Sequence, residues 1–336
     1  MAKTKTFSEL LADFLEYAEI EKNRSPLTLR NYHHYLKRFA DFARKSGAEN
    51  PEDLDLDLIR KYRLYINRLG DPHTGKPLKQ VTQNYHIIAL RAFLKYLAKR
   101  DIRTLSAEKL ELGKTPSRTV EFLEREEVER LIGATSSEKE EILRLRDRAI
   151  LETLFSTGLR VSELCSLKRD QINFKRGEFT VRGKGDKLRL VFLSPEAGGA
   201  VQEYLKRRRD NSKFLFVSHS GIGAKGNKIE KEMQSFAKTS SVGGGSGSNN
   251  GSGNGLAPRS VQRIVKKYAL LAGIVKDVHT HSLRHSFATD LLRNGADIRS
   301  VQSMLGHSSI TTTQIYTHIT NQQLREIHQK FHNRKK

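Results

Sequence analysis

Four separated segments of the sequence hold residues that could do chemistry. They read Thr157-Gly158-Leu159-Arg160-Val161-Ser162-Glu163-Leu164, Gly183-Lys184-Gly185-Asp186-Lys187, His281-Ser282-Leu283-Arg284-His285-Ser286-Phe287-Ala288-Thr289, and Leu305-Gly306-His307-Ser308-Ser309 continuing to Thr313-Gln314-Ile315-Tyr316-Thr317-His318. The types suit an anionic ester. Two guanidiniums can each grip phosphate oxygens bidentately and stay charged at any working pH. They also stabilise charge spread over the equatorial oxygens of a phosphoryl transition state. A phenol, with a free pKa of about 10, needs a positive site or a base before it attacks as an oxyanion. A lysine on a mobile turn can protonate a leaving alkoxide. Each segment alone reads more readily as ordinary structure: an ion-paired Arg, a hairpin Gly-Lys-Gly, a chance His-x-x-Arg, a core Tyr. Their joint occurrence in this order is far more specific.

Elements must position these residues, and the spacing predicts them. Thr6 and Glu9 form a capping-box pair, and Phe7, Leu10, Leu11, Phe14, Leu15 and Ala18 follow at helical spacing. Ser25-Pro26 starts a second helix whose stripe is Leu29, Tyr32, Leu36, Phe39 and Ala43, ended by Gly47. A third helix fits Asp53–Leu69. A fourth fits Lys79–Arg100, with Tyr85, Ile88, Phe93, Leu94 and Leu97 expected inward. Off these stripes lie basic residues, of which Arg30, Lys37, Arg91 and Lys95 are candidate DNA contacts, a solvated helix face being the plain alternative.

Residues 106–118 are polar, hold Gly113 and Pro116, and read as a linker. Helices then fit Glu126–Ile132 and Glu140–Ser156. Phe179 and Val181, then Leu188, Leu190 and Phe192, alternate as strands do. Helical patterns return at Glu196–Arg209, Pro258–Ala272, Ser286–Asn294, Ile298–Met304 and Asn321–Phe331. Arg259, Ser260 and Arg263, at the start of the Pro258 helix, are candidate groove contacts. Ser282, Ser286 and Thr289 are candidate backbone-phosphate contacts. Ser241–Gly255, SVGGGSGSNNGSGNG, is uncharged with a single valine and reads as a flexible loop, either natural or an engineered spacer.

Composition narrows the function class. The 336 residues carry 60 Lys+Arg against 38 Asp+Glu, a formal net charge of +22. That is well above the magnitude of about 2–8 usual for a small soluble domain, so a polyanion, most commonly nucleic acid, is the expected partner. A single cysteine, Cys165, excludes a disulfide framework and a multi-cysteine zinc site; Cys165 itself reads as a buried helix residue. His281 and His285 are four apart, but no His-Glu-x-x-His pattern accompanies them, so no metal and no cofactor are expected. No apolar run approaches the roughly 18 residues needed to cross a bilayer, and the N-terminus shows no secretory signal. The expected location is the cytoplasm, away from membrane.

Read together, TGLRVSEL, GKGDK, HSLRHSFAT, LLRNGADI, LGHSSI and TTQIYTH resemble the tyrosine recombinase family, most closely its Xer branch of chromosome-dimer-resolving recombinases. The resemblance covers nearly the whole chain. It implies an all-α core-binding (SAM-like) domain at about 1–105, and a mixed α+β, mainly helical, catalytic domain with a small antiparallel sheet at 119–336. The departure is an insertion near 220–255, where a short hairpin turn would normally stand.

The resemblance also implies roles. Tyr316 would be the nucleophile, Arg160 and Arg284 would bind the scissile phosphate, and His281 and His307 would add hydrogen bonds or proton transfer. Lys184 would protonate the leaving 5′ oxygen, and Glu163 would support Arg160. It implies double-stranded DNA as substrate, and a homotetramer or a heterotetramer with a related recombinase. It also implies a Holliday junction and a possible cell-division DNA translocase as partner. The terminal stripe Leu324, Ile327 and Phe331 would dock on a neighbouring subunit. A phage or mobile-element integrase is the nearest alternative. A relaxing topoisomerase of the same chemistry and a catalytically silent DNA-binding protein are the others.

Overall fold

The structure is a computed structural model that describes residues 5–70, 75–115, 121–183, 187–219 and 255–306. Lys184, His307, Tyr316, most of the insertion and the Asn321–Phe331 pattern lie outside the described residues. The chain divides into two compact units, with the boundary at Ser117/Arg118.

The N-terminal unit is built from α1 (Phe7–Ile20), α2 (Pro26–Lys45), α3 (Leu56–Arg68) and α4 (Gln80–Lys99). The Thr6/Glu9 capping box closes the start of α1, and Ser25 caps α2 ahead of Pro26. Gly47, at φ +82°, turns the chain after α2. The apolar faces meet in one core around Leu36, Phe39, Tyr62, Leu90, Phe93 and Leu97. The α4 face differs from the expected one: Tyr85 and Ile88 are exposed, and Ile87 and Leu90 take the core positions. Near 100° per residue, Ile87, Leu90, Leu94 and Leu97 form one face, and Tyr85 and Ile88 fall on the opposite side. Ala107 and Leu110, in the stretch that composition marks as a link, are buried in this same core.

The C-terminal unit is mainly helical: α5 (Arg125–Gly133), α6 (Glu141–Thr157), α7 (Val161–Ser166), α8 (Pro195–Arg207), α9 (Pro258–Leu271), α10 (Thr280–Arg293) and α11 (Ile298–Leu305). Its hairpin pairs β1 (Glu178–Arg182) with β2 (Leu188–Phe192). Helix α6 lies at the centre, burying Ala149, Ile150, Leu151 and Leu154. The short helix α11 is held onto α10 by Val301 and Leu305 against Ala288 and Leu292. Both α6 and α11 end in a left-handed glycine, Gly158 at φ +58° and Gly306 at φ +63°, which stops each helix where its last carbonyls are needed.

Both strands form where the alternation places them, and the register decides which face each one buries. Phe179 and Val181 do face inward, but Leu188, Leu190 and Phe192 are exposed, by 63%, 48% and 51%. The register pairs Phe179 with Val191 and Val181 with Arg189. Directly opposed residues share a face, so Arg189 and Val191 point into the unit. Choosing the wrong parity moves every side chain to the other side. At the base of the insertion, Val217 bridges Gly255 and Leu256 N–H donates to the Phe216 carbonyl (2.9 Å), so the chain leaves and re-enters at adjacent positions.

Candidate active site

Arg160 is the N-cap residue of α7, placed there by the Gly158 stop of α6. Its backbone N–H and side chain both meet Glu163: N to Oε2 at 2.8 Å and Nη1 to Oε1 at 2.9 Å. Its Nη2 also donates to the Gly306 carbonyl (3.3 Å). Some 28% of the side chain remains open to solvent.

Arg284 lies on α10, one turn after His281. It is 4% exposed, so it acts from inside the unit. Nη1 donates to the Gly158 carbonyl (2.6 Å) and Nη2 to the Leu305 carbonyl (2.5 Å). Those carbonyls close α6 and α11, where the helix dipole leaves partial negative charge that a guanidinium compensates. The two glycine stops therefore bring two arginines, 124 sequence positions apart, to the C-terminal end of α11. His281 is exposed in the first turn of α10, which begins at Thr280 as the pairing of His281 with Arg284 on one face requires.

Glu163 is 7% exposed. Burial alone would raise its carboxyl, but hydrogen bonds and charge from Arg189 and Arg160 overrule this and hold it at about 2. Arg189 grips it end-on, Nη1 to Oε1 at 2.8 Å and Nη2 to Oε2 at 2.9 Å. Sequence reasoning missed Arg189, because the apolar alternation of β2 pointed to the other face. A signal was available: centring the hairpin on the Gly183–Lys187 turn sets Val181 opposite residue 189. Two guanidiniums thus flank one carboxylate, and Arg284 meets the same end of α11 from α10, so the three arginines outweigh the one carboxylate.

Lys184 follows Gly183, whose N–H donates to the Lys187 carbonyl (2.8 Å) at the neck of the turn. A side-chain carbon on Gly183 would lie 3.5 Å from Arg189 Nη1, so the lysine segment starts beside this cluster. His307 follows Gly306, which also adjoins it. The hydroxyls of Ser282 and Ser286 do not fit the expected phosphate role. Ser286 Oγ donates to the Ser282 carbonyl (2.9 Å) and accepts from Leu123 N–H (2.8 Å), and Ser282 Oγ accepts from His279 N–H (3.1 Å). They lock the start of α10 instead, and Thr289 is likewise buried. Burial pushes the half-buried Cys165 thiol up to about 11, which removes it as a nucleophile at neutral pH.

The candidate duplex contacts are placed separately in the two units. In the N-terminal unit Arg30 and Lys37 are exposed on α2, Arg91 is half-buried on α4, and Lys95 is exposed with Glu108 at 3.4 Å. In the C-terminal unit Arg259 and Arg263 are exposed in the first turns of α9, where Arg263 Nη2 donates to Ser260 Oγ (3.2 Å). Among the described residues no three His, Cys, Asp or Glu side chains gather as a metal site, and no helix is long and apolar enough to cross a membrane.

Comparison with known proteins adds to this geometry. The Phage integrase family matches residues 121–323, and the phage integrase N-terminal SAM-like domain matches residues 11–101. Tyrosine recombinase XerC of Oceanobacillus iheyensis is 35% identical, with 97% of each chain covered. Tyrosine recombinase XerD of Listeria innocua is 32% identical over 97% of this chain and 99% of its own. Among solved structures, the XerH site-specific recombinase in a post-cleavage complex with palindromic difH substrate superposes with a TM-score of 0.70 at 20% identity, covering 97% of both chains. The Tn1549 transposon integrase in complex with circular intermediate DNA reaches 0.66 at 19% identity, over 93% of this chain and 94% of its own. At those identities the structures bear on the fold.

Proposed function

Because the chain belongs to the phage integrase family, as a tyrosine recombinase of the Xer type, we propose that it cuts and rejoins double-stranded DNA through a 3′-phosphotyrosyl intermediate. The observation that carries this reading is the meeting of Arg160 and Arg284 at the end of α11, beside the starts of the segments that hold Lys184 and His307. Arg160 and Arg284 hold the scissile phosphate and mask its charge. Tyr316 Oη bonds to phosphorus while the bond to the 5′ oxygen breaks, and Lys184 delivers the proton to that oxygen. His281 and His307 hydrogen-bond the phosphoryl oxygens or carry the tyrosine proton. The phosphotyrosine conserves the energy of the broken ester, so rejoining needs no external energy source.

In this reading the two units, 1–105 and 119–336, close on a duplex. Four subunits, alike or of two related kinds, pair two sites and pass strands through a Holliday junction. The terminal residues Leu324, Ile327 and Phe331 dock on a neighbour. Resolution of chromosome or plasmid dimers, with a cell-division translocase as partner, follows from the resemblance to Xer proteins along almost the whole length. Arg30, Lys37, Arg91, Lys95, Arg259, Ser260 and Arg263 grip the flanking duplex, so affinity falls steeply with salt.

The test is covalent capture on fragmented genomic DNA, with the joined phosphates mapped. The wild type becomes covalently linked to discrete sites. Tyr316→Phe binds those sites and forms no covalent product. Covalent product from Tyr316→Phe would remove Tyr316 from its role, and relaxation without junction products would make the chain a topoisomerase.

A further inference from the structure

Arg189 belongs to none of the four motif segments, yet it touches both the start of α7 and the end of α11. It is 9% exposed and spends its donors in three directions. Two N–H groups meet the two oxygens of Glu163 at the start of α7, at 2.8 and 2.9 Å. Nε donates to the Met304 carbonyl in the last turn of α11, at 3.1 Å. Its stem lies against Gly306, where a side-chain carbon would come within 3.0 Å of Cδ, and its Nη1 lies beside Gly183.

We propose that Arg189 is a positioning residue. By binding Glu163 and the Met304 carbonyl together, it locks β2, the start of α7 and the end of α11 into one frame. That frame sets the points from which the chain runs into Lys184 and into His307. For its catalytic consequence the proposal rests on the recombinase reading above. Arg189 has a second effect in the same geometry. Glu163 carries a negative charge next to Arg160, and an unneutralised carboxylate there would oppose an incoming phosphate. Arg189 cancels that charge, so Arg160 keeps its net attraction for the ester.

The two effects separate by substitution. Lysine supplies a point charge without the planar fork. Arg189→Lys therefore neutralises Glu163 but cannot hold Glu163 and the Met304 carbonyl at once. Arg189→Gln loses both.

The experiment has two arms on the full-length protein. In the first, hydrogen exchange is followed in the free protein. In Arg189→Lys, amides of Met304–Gly306 and Leu188–Val191 exchange roughly tenfold faster, while core amides of α6 keep their protection. In the second, the duplex captured covalently by the wild type is cleaved in single turnover. Arg189→Lys lowers the cleavage rate about 100-fold, the scale of a misplaced catalytic group, with duplex Kd within about twofold.

Wild-type exchange and wild-type cleavage in Arg189→Lys overturn the proposal. So does loss of duplex affinity in step with loss of protection across the whole unit, which would make Arg189 a stability element only. If the wild type cleaves no duplex, the recombinase reading is what fails, and the exchange arm still decides whether Arg189 holds the frame. Should Arg189→Gln not fold, Arg189→Lys carries both arms.

Discussion

The two units each bury a titratable side chain against an arginine, and they treat it in opposite ways. In the N-terminal unit His86 is 1% exposed, bonded by Nδ1 to the Tyr62 hydroxyl at 2.9 Å and by Nε2 to Arg38 at 3.3 Å. Burial, with the Arg38 charge behind it, pushes the imidazole down to about 4, so it stays neutral. In the C-terminal unit Glu163 is nearly as buried but ionised, because two guanidiniums hold it at about 2. A neutral pair is what a packing core tolerates, since an isolated buried charge is costly. The Glu163 carboxylate stays charged because Arg189 and Arg160 are kept beside it. One unit thus buries a neutral imidazole within its packing, and the other keeps a paired charge beside the candidate site.

The largest effect that could break this comparison comes from Glu163→Ala. It leaves the Arg189 charge buried without its carboxylate, at a cost of about 3 kcal/mol. Urea unfolding followed by signals of the C-terminal unit measures it. His86→Leu should cost less, about 1–2 kcal/mol, chiefly by leaving the buried Tyr62 hydroxyl unpaired. The same experiment followed in the N-terminal unit measures that. A larger loss from His86→Leu than from Glu163→Ala would reverse the comparison.

Acid sharpens it further. A group whose pKa is lower in the folded than the unfolded state favours folding above its unfolded pKa, and that contribution disappears as pH falls through the folded value. For His86 the window runs from 6.5 down to about 4. For Glu163 it runs from 4.5 down to about 2. On acidification the N-terminal unit should lose stability first, as amide NMR signals of the two units would record. His86→Leu should abolish the upper window and leave the lower one in place.

Much of this molecule is legible in its sequence. The caps at Thr6 and Ser25, the stripes of α1 and α2, and the stop at Gly47 follow from local chemistry, and the structure keeps each of them. Arg160, Lys184, His281, Arg284, His307 and Tyr316 stand out because these types, in these local settings and in this order, rarely coincide by chance. What local pattern could not reach is the inward face of β2 and the hidden hydroxyls of α10. An exposed row of Leu188, Leu190 and Phe192 obeys the same alternation as a buried one. Helical position alone does not say whether Ser286 meets solvent or the backbone of Leu123.

The sequence by itself therefore determined the class of chemistry and the residues that could perform it, because side-chain type and order survive without coordinates. The tertiary structure decided which charge stands behind them. A strand's own alternation does not say which of its two faces is buried; the turn and the pairing partner decide that. Only the register of Val181 opposite Arg189 turns that guanidinium inward, onto Glu163 and the end of α11.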